Sequence, residues 1–291
     1  MSRVVGLVGI GFMLAVSAVG AWVARTVSVE APAGEHGGAR AMKHEERARA
    51  RQAREALFAE LQPVKLRNCE LARFGEKNDG GYLLCGNLLT DVGSAYSYGI
   101  SGYDGWGCDV STRLSVPVHQ YDCFNTTQPS CPSGRPVFHA ECVAGKRRND
   151  EEGRLFDSLQ SQFVRNGDAA KSLVVKMDVE GAEWDSILQT PDEVLARIDQ
   201  LVFEFHGVSD TARYLEVIAK LKRMFEIVHL HFNNYACVGA GAPFPAWAYE
   251  VTLVNKRLAE VDPAGKVALP TALDAPNHPA VHDCQTLAVL N

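Results

Sequence analysis

Three acidic residues follow one apolar segment of the sequence at close spacing. Lys176 and Met177 end the segment, and Asp178, Glu180 and Glu183 lie within the next six residues. Because an unpaired carboxylate is costly to bury, packing alone does not explain this density of acids. Glu183 has an ordinary explanation, since an acid near the start of a helix is stabilised by the helix dipole. Asp178 and Glu180 are therefore the first candidates for catalysis.

A second apolar segment, residues 199–207, adds a histidine and another acid. The two-residue repeat of a strand puts Glu204 and His206 on the same side. A histidine beside acids at the end of a strand is suited to act as a general base. Glu204 and His206 thus join Asp178 and Glu180 as candidate catalytic residues. As an alternative, Asp178, Glu204 and His206 could hold a divalent cation such as Mg²⁺ or Mn²⁺. Both chemistries remain open on the sequence.

A glycine-containing turn and an acid about twenty residues later predict a bound nucleoside. Gly99 and Gly102 follow an apolar segment, and glycine lets the backbone approach a ligand closely. Asp122 ends the next apolar segment, where a carboxylate can accept hydrogen bonds from both hydroxyls of a ribose. An ordinary turn or cap would explain either feature alone. Their spacing favours a nucleoside-containing cofactor.

Apolar segments alternate with helical patterns along most of the chain, which predicts an α/β fold with a doubly wound sheet. The predicted strands are residues 94–100, 116–122, 136–143, 172–178, 199–207, 226–234 and 248–256. The predicted helices are residues 152–166, 182–189 and 210–225. In such sheets a ligand binds at the carboxyl ends of the strands, where the candidate residues lie.

The N-terminal segment predicts a membrane anchor. Residues 4–24 contain no charge, and a span of 21 residues is long enough to cross a bilayer and longer than the apolar part of a signal peptide. We expect residues 1–25 to be a transmembrane signal-anchor, although cleavage remains open. Residues 26–62 are expected to form a linker, at 26–38, and a stem helix, at 44–62. A short tail before the span predicts a single-pass type II protein with its domain in the lumen of the Golgi or another secretory-pathway compartment.

Composition narrows the class of protein further. The sequence has eight cysteines, and no two have the C-x-x-C spacing of a zinc site. Behind a secretory N-terminus they predict structural disulfide bonds, with buried free thiols as the alternative. A net charge of −6 argues against a nucleic-acid partner.

Several motifs resemble the FkbM-type methyltransferases, and more closely their membrane-anchored, methyltransferase-like eukaryotic branch. KMDVEGAEWDSIL at residues 176–188 resembles that family's strand-four signature, and KNDGGYLLC at residues 77–85 resembles the DGGY motif of the anchored branch. YGISGYD, VHQYDCFNTT and LVFEFHG also match, so the resemblance covers roughly residues 65–256. It implies a class I methyltransferase Rossmann-like fold at residues 63–258, with a seven-stranded, mostly parallel sheet and helices on both faces. Residues 259–291 would be a C-terminal extension.

The resemblance also implies S-adenosylmethionine as the cofactor and O-methylation of a hydroxyl, often on a sugar of a glycan. It places Gly99, Ser101 and Gly102 at the methionine end of the cofactor, Asp122 at the ribose and Asp178 by the transferred methyl group. The cofactor-binding set predicted in this way is Asp79, Gly99, Ile100, Ser101, Gly102, Asp104, Asp122, Cys123 and Asp178.

The sequence departs from the family pattern at Ser97, which replaces the acid that usually opens the first glycine motif. Asp79 or Asp104 are the candidates to compensate for it. Three other functions stay open: an NAD-dependent oxidoreductase, a non-catalytic glycan-binding protein on the same fold, and a methyltransferase that acts on a lipid, a small molecule or a protein. Fold analogy does not choose among acceptors.

Overall fold

The computed structural model describes residues 35–237 and 241–284. The predicted membrane anchor lies outside these residues, and among them no helix is both long and apolar enough to cross a membrane. Contacts divide the chain into two units, residues 1–43 and 44–291, and the second contains the sheet and every candidate site residue.

The described residues form twelve strands and six helices. The strands are β1 (Leu71–Gly75), β2 (Gly81–Cys85), β3 (Ser94–Tyr98), β4 (Pro117–Tyr121), β5 (Arg135–His139), β6 (Cys142–Val143), β7 (Arg148–Asn149), β8 (Leu155–Asp157), β9 (Leu173–Met177), β10 (Ile198–His206), β11 (Phe225–Phe232) and β12 (Ala248–Asn255). The helices are α1 (Glu35–Glu60), α2 (Gly105–Leu114), α3 (Leu159–Arg165), α4 (Ala182–Gln189), α5 (Asp192–Leu195) and α6 (Thr211–Met224).

Seven strands form the central sheet in the order β11-β12-β10-β9-β3-β4-β5. Neighbours from β10 to β5 are all parallel, and β12 is antiparallel to both β10 and β11. The prediction of a mixed α/β fold with a seven-stranded, mostly parallel sheet is therefore confirmed. The chain leaves β3 toward β4 on one side and reaches β9 on the other, so the strand order reverses between β3 and β9.

Apolar side chains cover both faces of the sheet, because successive residues of a strand point in opposite directions. Tyr96 and Val175 belong to one buried cluster, which also takes in residues of α3, α4 and α6. Ala95 and Val174, their neighbours in sequence, belong to another cluster, with α2 and the β1–β2 hairpin. The central strands are buried along their whole length, which is why they appear in the sequence as continuous apolar segments.

Three predicted elements differ in the structure. The predicted helix at 152–166 is wrong in its first half: a tight turn containing Gly153 (φ +80°) and then β8 precede α3. The predicted strand at 136–143 divides between β5 of the central sheet and β6 of a three-stranded sheet, β6-β8-β7. Helix α1 begins at Glu35, so the last residues of the predicted linker are helical.

Four disulfide bonds use all eight cysteines, which confirms the expectation of a disulfide-bonded protein. The pairs are Cys69–Cys85, Cys108–Cys131, Cys123–Cys142 and Cys237–Cys284. The last pair ties the segment after β12 back to the sheet. A cross-link of this kind stabilises mainly by restricting the unfolded chain.

The segment after β12 returns across the edge of the sheet formed by β11 and β12. His229 Nε2 lies 2.8 Å from Asp274 Oδ1, and Asn277 Nδ2 donates to Glu250 Oε1 at 2.7 Å. His231 lies between Glu250 (3.4 Å) and Asp283 (3.7 Å). Charged and polar pairs therefore hold this segment in place together with the Cys237–Cys284 bond.

We expect the contribution of His231 to stability to disappear at alkaline pH. Burial lowers the pKa of His231, but the hydrogen bond and charge of Glu250, followed by Asp274 and Asp283, outweigh burial and raise the pKa to about 9. A raised pKa in the folded state gives stability that is fully present below the unfolded value of about 6.5 and is lost as pH rises through about 9. His231→Gln should therefore lower the thermal midpoint clearly at pH 6 and little at pH 10. His282→Gln, on the exposed part of the same segment, is the control. Equal destabilisation by His231→Gln at both pH values would contradict the charged pairing.

Candidate functional site

The loops that follow β3 and β9 come into contact where the strand order reverses. Gly99 has a φ of +73°, and a Cβ built on it would lie 1.6 Å from the carbonyl oxygen of Asp178. Only glycine fits this close approach. The two loops are thereby locked together, with a backbone hydrogen bond from Asp178 N to Tyr98 O at 3.2 Å. This is the position at which α/β sheets bind ligands.

A cavity of about 340 Å³, here called the first cavity, opens at this point. Its volume lies within the range of about 300–1,000 Å³ that is usual for small-molecule sites. Most of its lining is apolar or aromatic, with a few carboxylates: Tyr98, Gly99, Ser101, Tyr121, Asp122, Phe124, Cys142, Val143, Phe156, Asp178, Val179, Glu180 and Ala182.

The carboxylate of Asp122 accepts hydrogen bonds from the backbone N–H groups around it. Its Oδ2 accepts from Ser101 N at 2.7 Å, and its Oδ1 accepts from Phe124 N and Asn125 N at 2.8 and 2.9 Å. A carboxylate has about four lone-pair positions, so one remains, on Oδ2. The sequence analysis assigned Asp122 to both hydroxyls of a ribose. In this arrangement the carboxylate has room for one of them.

The other predicted cofactor residues divide into those at the first cavity and those outside its lining. Ser101 lines it, with a φ of +46° that is unusual for a residue other than glycine. Gly102 packs against Asn125, whose Nδ2 would lie 2.8 Å from a Cβ at that position. Ile100 is buried, and Cys123 is bonded to Cys142. Gly102, Ile100 and Cys123 are therefore part of the loop and wall structure but not of the cavity lining.

Asp104 has a structural position. It is the N-cap of α2: its Oδ1 accepts from Gly107 N, and its Oδ2 accepts from Gln120 Nε2, both at 2.8 Å. Ser97 is fully buried, and its Oγ has no hydrogen-bond partner among the described residues. Neither side chain lines the first cavity, so Asp104 is poorly placed to compensate for Ser97.

Two phenylalanines that the sequence analysis missed form the outer wall of the first cavity. Phe124 and Phe156 lie edge to face with centroids 6.2 Å apart. The guanidinium of Arg154 covers Phe124 at 4.4 Å, and that of Arg148 covers Phe156 at 4.0 Å. Phe156 belongs to β8, in the region predicted to be helical, and for this reason it was overlooked. The pair gives the cavity an aromatic wall against which a planar base could pack.

A second cavity, of about 210 Å³, lies beside the first and shares Asp178 and Glu180 with it. Its lining combines acids, His206 and two aromatic side chains: Asp79, Asp178, Glu180, Glu204, His206, Asn233, Tyr235, Ala236, Trp247 and Ala248. Asp79, predicted as a cofactor residue, therefore lies at the second cavity, where its Oδ1 accepts from Asn277 Nδ2 at 3.2 Å.

The structure brings Asp178, Glu204 and His206 together at the second cavity. One ligand atom of each lies within 4.8 Å of the other two. His206 Nε2 is 3.5 Å from Glu180 Oε2, 3.6 Å from Glu204 Oε1 and 3.9 Å from Asp178 Oδ1. Glu180 differs from the other acids because its side chain is 82% exposed and its backbone has a φ of +54°. A strained residue at such a position is characteristic of functional sites.

Buried neighbours that the sequence analysis did not assign to the site fix the positions of these groups. Glu183 is fully buried and accepts from His206 N at 2.9 Å, with His206 Nδ1 at 3.3 Å. Asn233 Nδ2 donates to Glu204 Oε1 at 2.8 Å. The buried Lys176 Nζ lies 3.4 Å from Asp178 Oδ2.

Tyr82 completes the setting of Asp178. Its hydroxyl donates to Asp178 Oδ2 at 3.3 Å, and Lys176 Nζ lies 5.5 Å from the centre of its ring. Tyr82 comes from the β1–β2 hairpin, within the KNDGGYLLC motif at residues 77–85. The Tyr82 hydroxyl and Lys176 Nζ both contact Oδ2 of Asp178, whereas His206 Nε2 lies 3.9 Å from Oδ1.

The pKa values of His206 and Glu204 are both raised. Burial lowers the pKa of His206, but its hydrogen bonds to Glu183 and Glu204 and their charges outweigh burial and raise it to about 10. Burial, with the charges of Asp178 and Glu250, raises the pKa of Glu204 to about 7 against the opposing effect of His206. At neutral pH His206 is then a cation and a proton donor. Asp178 and Glu180 are the acids that line both cavities.

Comparisons with known proteins do not assign this chain to a family. No protein-family model matches the sequence, and the search of curated proteins gives no significant match.

Proposed function

We propose that this protein is an S-adenosylmethionine-dependent O-methyltransferase of the FkbM type whose acceptor is a sugar hydroxyl of a glycan. The observation that carries the proposal is the meeting of two cavities at Asp178 and Glu180. A group-transfer enzyme needs a donor site and an acceptor site that open onto one another. The order of the central sheet, with β12 as its reversed strand, supports a class I methyltransferase fold.

The first cavity has the features that an adenosine-containing cofactor needs. Asp122 Oδ2 keeps one lone pair for a ribose hydroxyl, and Phe124 and Phe156 provide the aromatic wall for a base. The backbone at Gly99 and Ser101 passes close by and would line the methionine part. When bound, S-adenosylmethionine supplies a methyl group carried on a positively charged sulfur.

The chain's own residues would orient the acceptor and remove its proton. Asp178 lies at the junction of the cavities, with Oδ2 held by Tyr82 and Lys176, and with Oδ1 3.9 Å from His206 Nε2. Holding an acceptor hydroxyl at this junction would align it with the donor, which is a large part of the catalysis of transfer reactions. Oδ1 would accept the hydroxyl proton, and the positively charged His206 would stabilise the carboxylates around it.

A divalent cation is the alternative way to activate the hydroxyl. The ligands would be Asp178, Glu204 and His206, since Mg²⁺ and Mn²⁺ are bound by carboxylate oxygens and can also be bound by an imidazole nitrogen. A bound cation would lower the pKa of the acceptor hydroxyl. His206 must lose its proton first, so binding of a cation would release a proton and would weaken at low pH.

The four disulfide bonds support an oxidising compartment. We therefore extend the proposal to the secretory pathway, with residues 1–25 as the anchor of a type II Golgi protein. An NAD-dependent oxidoreductase, and a non-catalytic glycan-binding protein on the same fold, are the functions to be separated from it. Cofactor choice separates them, because the first would bind NAD and the second would bind neither cofactor.

We expect S-adenosylmethionine and its demethylated product to raise the thermal midpoint of the full chain, and NAD to leave it unchanged. At a hundredfold excess over Kd the stabilisation is about 2.7 kcal/mol. Asp122→Asn keeps one oxygen for Phe124 N and Asn125 N, but it turns an amide N–H toward Ser101 N and loses the acceptor oriented to the ribose, so it should remove most of the shift. Asp91→Asn, an exposed acid before β3, is the control. A shift with NAD alone would support the oxidoreductase and overturn the proposal.

A further inference from the structure

The second cavity carries two half-exposed aromatic side chains at its rim. Tyr235 is 60% exposed and Trp247 is 40% exposed, whereas most large aromatic residues of this protein are buried. The backbone fixes Trp247, because its carbonyl accepts from Gly207 N at 2.7 Å and its N donates to Ala236 O at 3.4 Å. The centres of the Trp247 and His206 rings are 6.0 Å apart. The Trp247 ring thus presents a flat apolar surface beside His206 at the second cavity.

The polar groups of this cavity are mainly hydrogen-bond acceptors. Asp79, Asp178, Glu180 and Glu204 supply carboxylate oxygens, whereas the amide of Asn233 is already bonded to Glu204 Oε1 and to Tyr235 N. Acceptors suit a ligand that presents hydroxyl donors on one side. An aromatic face suits the apolar C–H face of a sugar ring on the other. The cavity thus has both surfaces that a pyranose needs.

The charges at the cavity are unequal. Four acids line it, one of them Glu204 with its pKa raised to about 7, and among the described residues the basic side chains in contact with them are His206 and Lys176. Glu180, whose side chain is 82% exposed, also lines the first cavity. Without a bound divalent cation, a ligand that carried its own carboxylate or sulfate would meet like charges within a few ångströms, and this repulsion is strong in a partly buried site. The binding measurements below are therefore made with a chelator present.

We propose that the second cavity is the acceptor site and that it takes an uncharged sugar residue, stacked on Trp247 with a hydroxyl directed to Asp178, while it rejects acidic sugars. This inference rests on the function proposed above. Trp247 is then the residue that positions the acceptor, and the carboxylates set its specificity.

Saturation-transfer NMR on the full chain tests the site without requiring turnover. The probes are the neutral methyl glycosides of glucose, galactose, mannose and N-acetylglucosamine, and the acidic methyl glucuronide. We expect ring-proton signals from at least one neutral probe, with or without S-adenosylhomocysteine, and at least tenfold weaker binding of the glucuronide. Absence of ring-proton signals from all four neutral probes, or binding of the glucuronide as tight as that of the neutral probes, would overturn the inference.

Variants locate the binding. Trp247→Ala should weaken the neutral probe at least tenfold, whereas Trp247→Phe should keep most of the binding because it keeps an aromatic face. Tyr103→Ala removes an exposed aromatic outside the lining of both cavities and should change nothing. Glu180→Gln removes one negative charge and should bring the glucuronide closer to the neutral probes. Unchanged binding in a folded Trp247→Ala protein would place the sugar elsewhere.

The two proposals fail separately in this experiment. Sugar signals that depend on Trp247 in a protein that binds no S-adenosylmethionine would support the acceptor site and contradict the methyltransferase. Binding of S-adenosylmethionine without ring-proton signals from any neutral probe would support the methyltransferase and contradict the acceptor site. Displacement of the sugar by S-adenosylhomocysteine alone would mean that the sugar occupies the first cavity, which would overturn the assignment of the second.

Discussion

Asp178→Asn should lower methyl transfer by about 100- to 10,000-fold and leave the binding of S-adenosylmethionine nearly unchanged. Loss of a general base typically has an effect of about this size. The amide keeps the shape of the side chain and one oxygen for Tyr82 and Lys176, which now contact Oδ2. It loses the charge that accepts a proton. Initial rates on an acceptor found with labelled S-adenosylmethionine, together with the Kd of the cofactor, measure the two effects separately.

Asp185→Asn is the matched control, because Asp185 belongs to the same motif but pairs with Arg213 on the surface. It should retain normal turnover. A chelator distinguishes the two roles of Asp178: a loss of wild-type turnover that Mg²⁺ or Mn²⁺ restores indicates a metal ligand, and insensitivity indicates a general base. Near-normal turnover of Asp178→Asn would make Asp178 structural and would pass its role to Glu204 or His206.

Gly99→Ala should destabilise the protein far more than Gly153→Ala does. Both glycines have left-handed backbone, with φ of +73° and +80°. A Cβ on Gly153 would meet nothing within 4 Å, whereas one on Gly99 would lie 1.6 Å from Asp178 O. Gly153→Ala thus measures the strain of the backbone alone, about 1–2 kcal/mol. Gly99→Ala adds a collision with another main chain, and we expect a loss of more than about 4 kcal/mol.

Thermal unfolding compares the two variants directly. For a protein of this size, about 1 kcal/mol corresponds to a change of about 2–4 °C, so Gly153→Ala should cost only a few degrees. Gly99→Ala should cost more than about 8 °C and should also abolish cofactor binding, because the loops after β3 and β9 must move apart. Equal shifts for the two variants would contradict the close approach of these loops.

The central strands could be predicted from the sequence because they are buried on both faces and therefore form unbroken apolar segments. Helix α4 was predicted with its observed bounds, since the acids near its start and its apolar spacing agree. The first half of the helix predicted at 152–166 was wrong because Gly153, which marks a turn, was treated as part of a helical pattern, whereas α3 lies within the second half. Helix α2 was missed because two of its first three residues are glycines, although Asp104 is a typical N-cap.

Proximity within the site followed from the topology. Asp178, Glu204 and His206 come together because β9 and β10 are adjacent parallel strands that end at the same edge. Tyr82 and Trp247 could not be assigned in this way. Tyr82 reaches the site from the β1–β2 hairpin and Trp247 from the loop before β12. Spacing along the chain says little about contacts made by such outlying segments. The three hydrogen bonds that Asp122 accepts from backbone N–H groups could not be predicted either, because they depend on the conformation of the folded loop.

Calorimetric titration of the full chain with S-adenosylmethionine tests the central claim most directly. We predict one binding site per chain, with the same stoichiometry for S-adenosylhomocysteine, no heat of binding with NAD, and strongly weakened binding in Asp122→Asn. Asp178→Asn should bind as the wild type does. Absence of binding of either adenosine compound to the folded, disulfide-bonded protein at millimolar concentration would contradict the account.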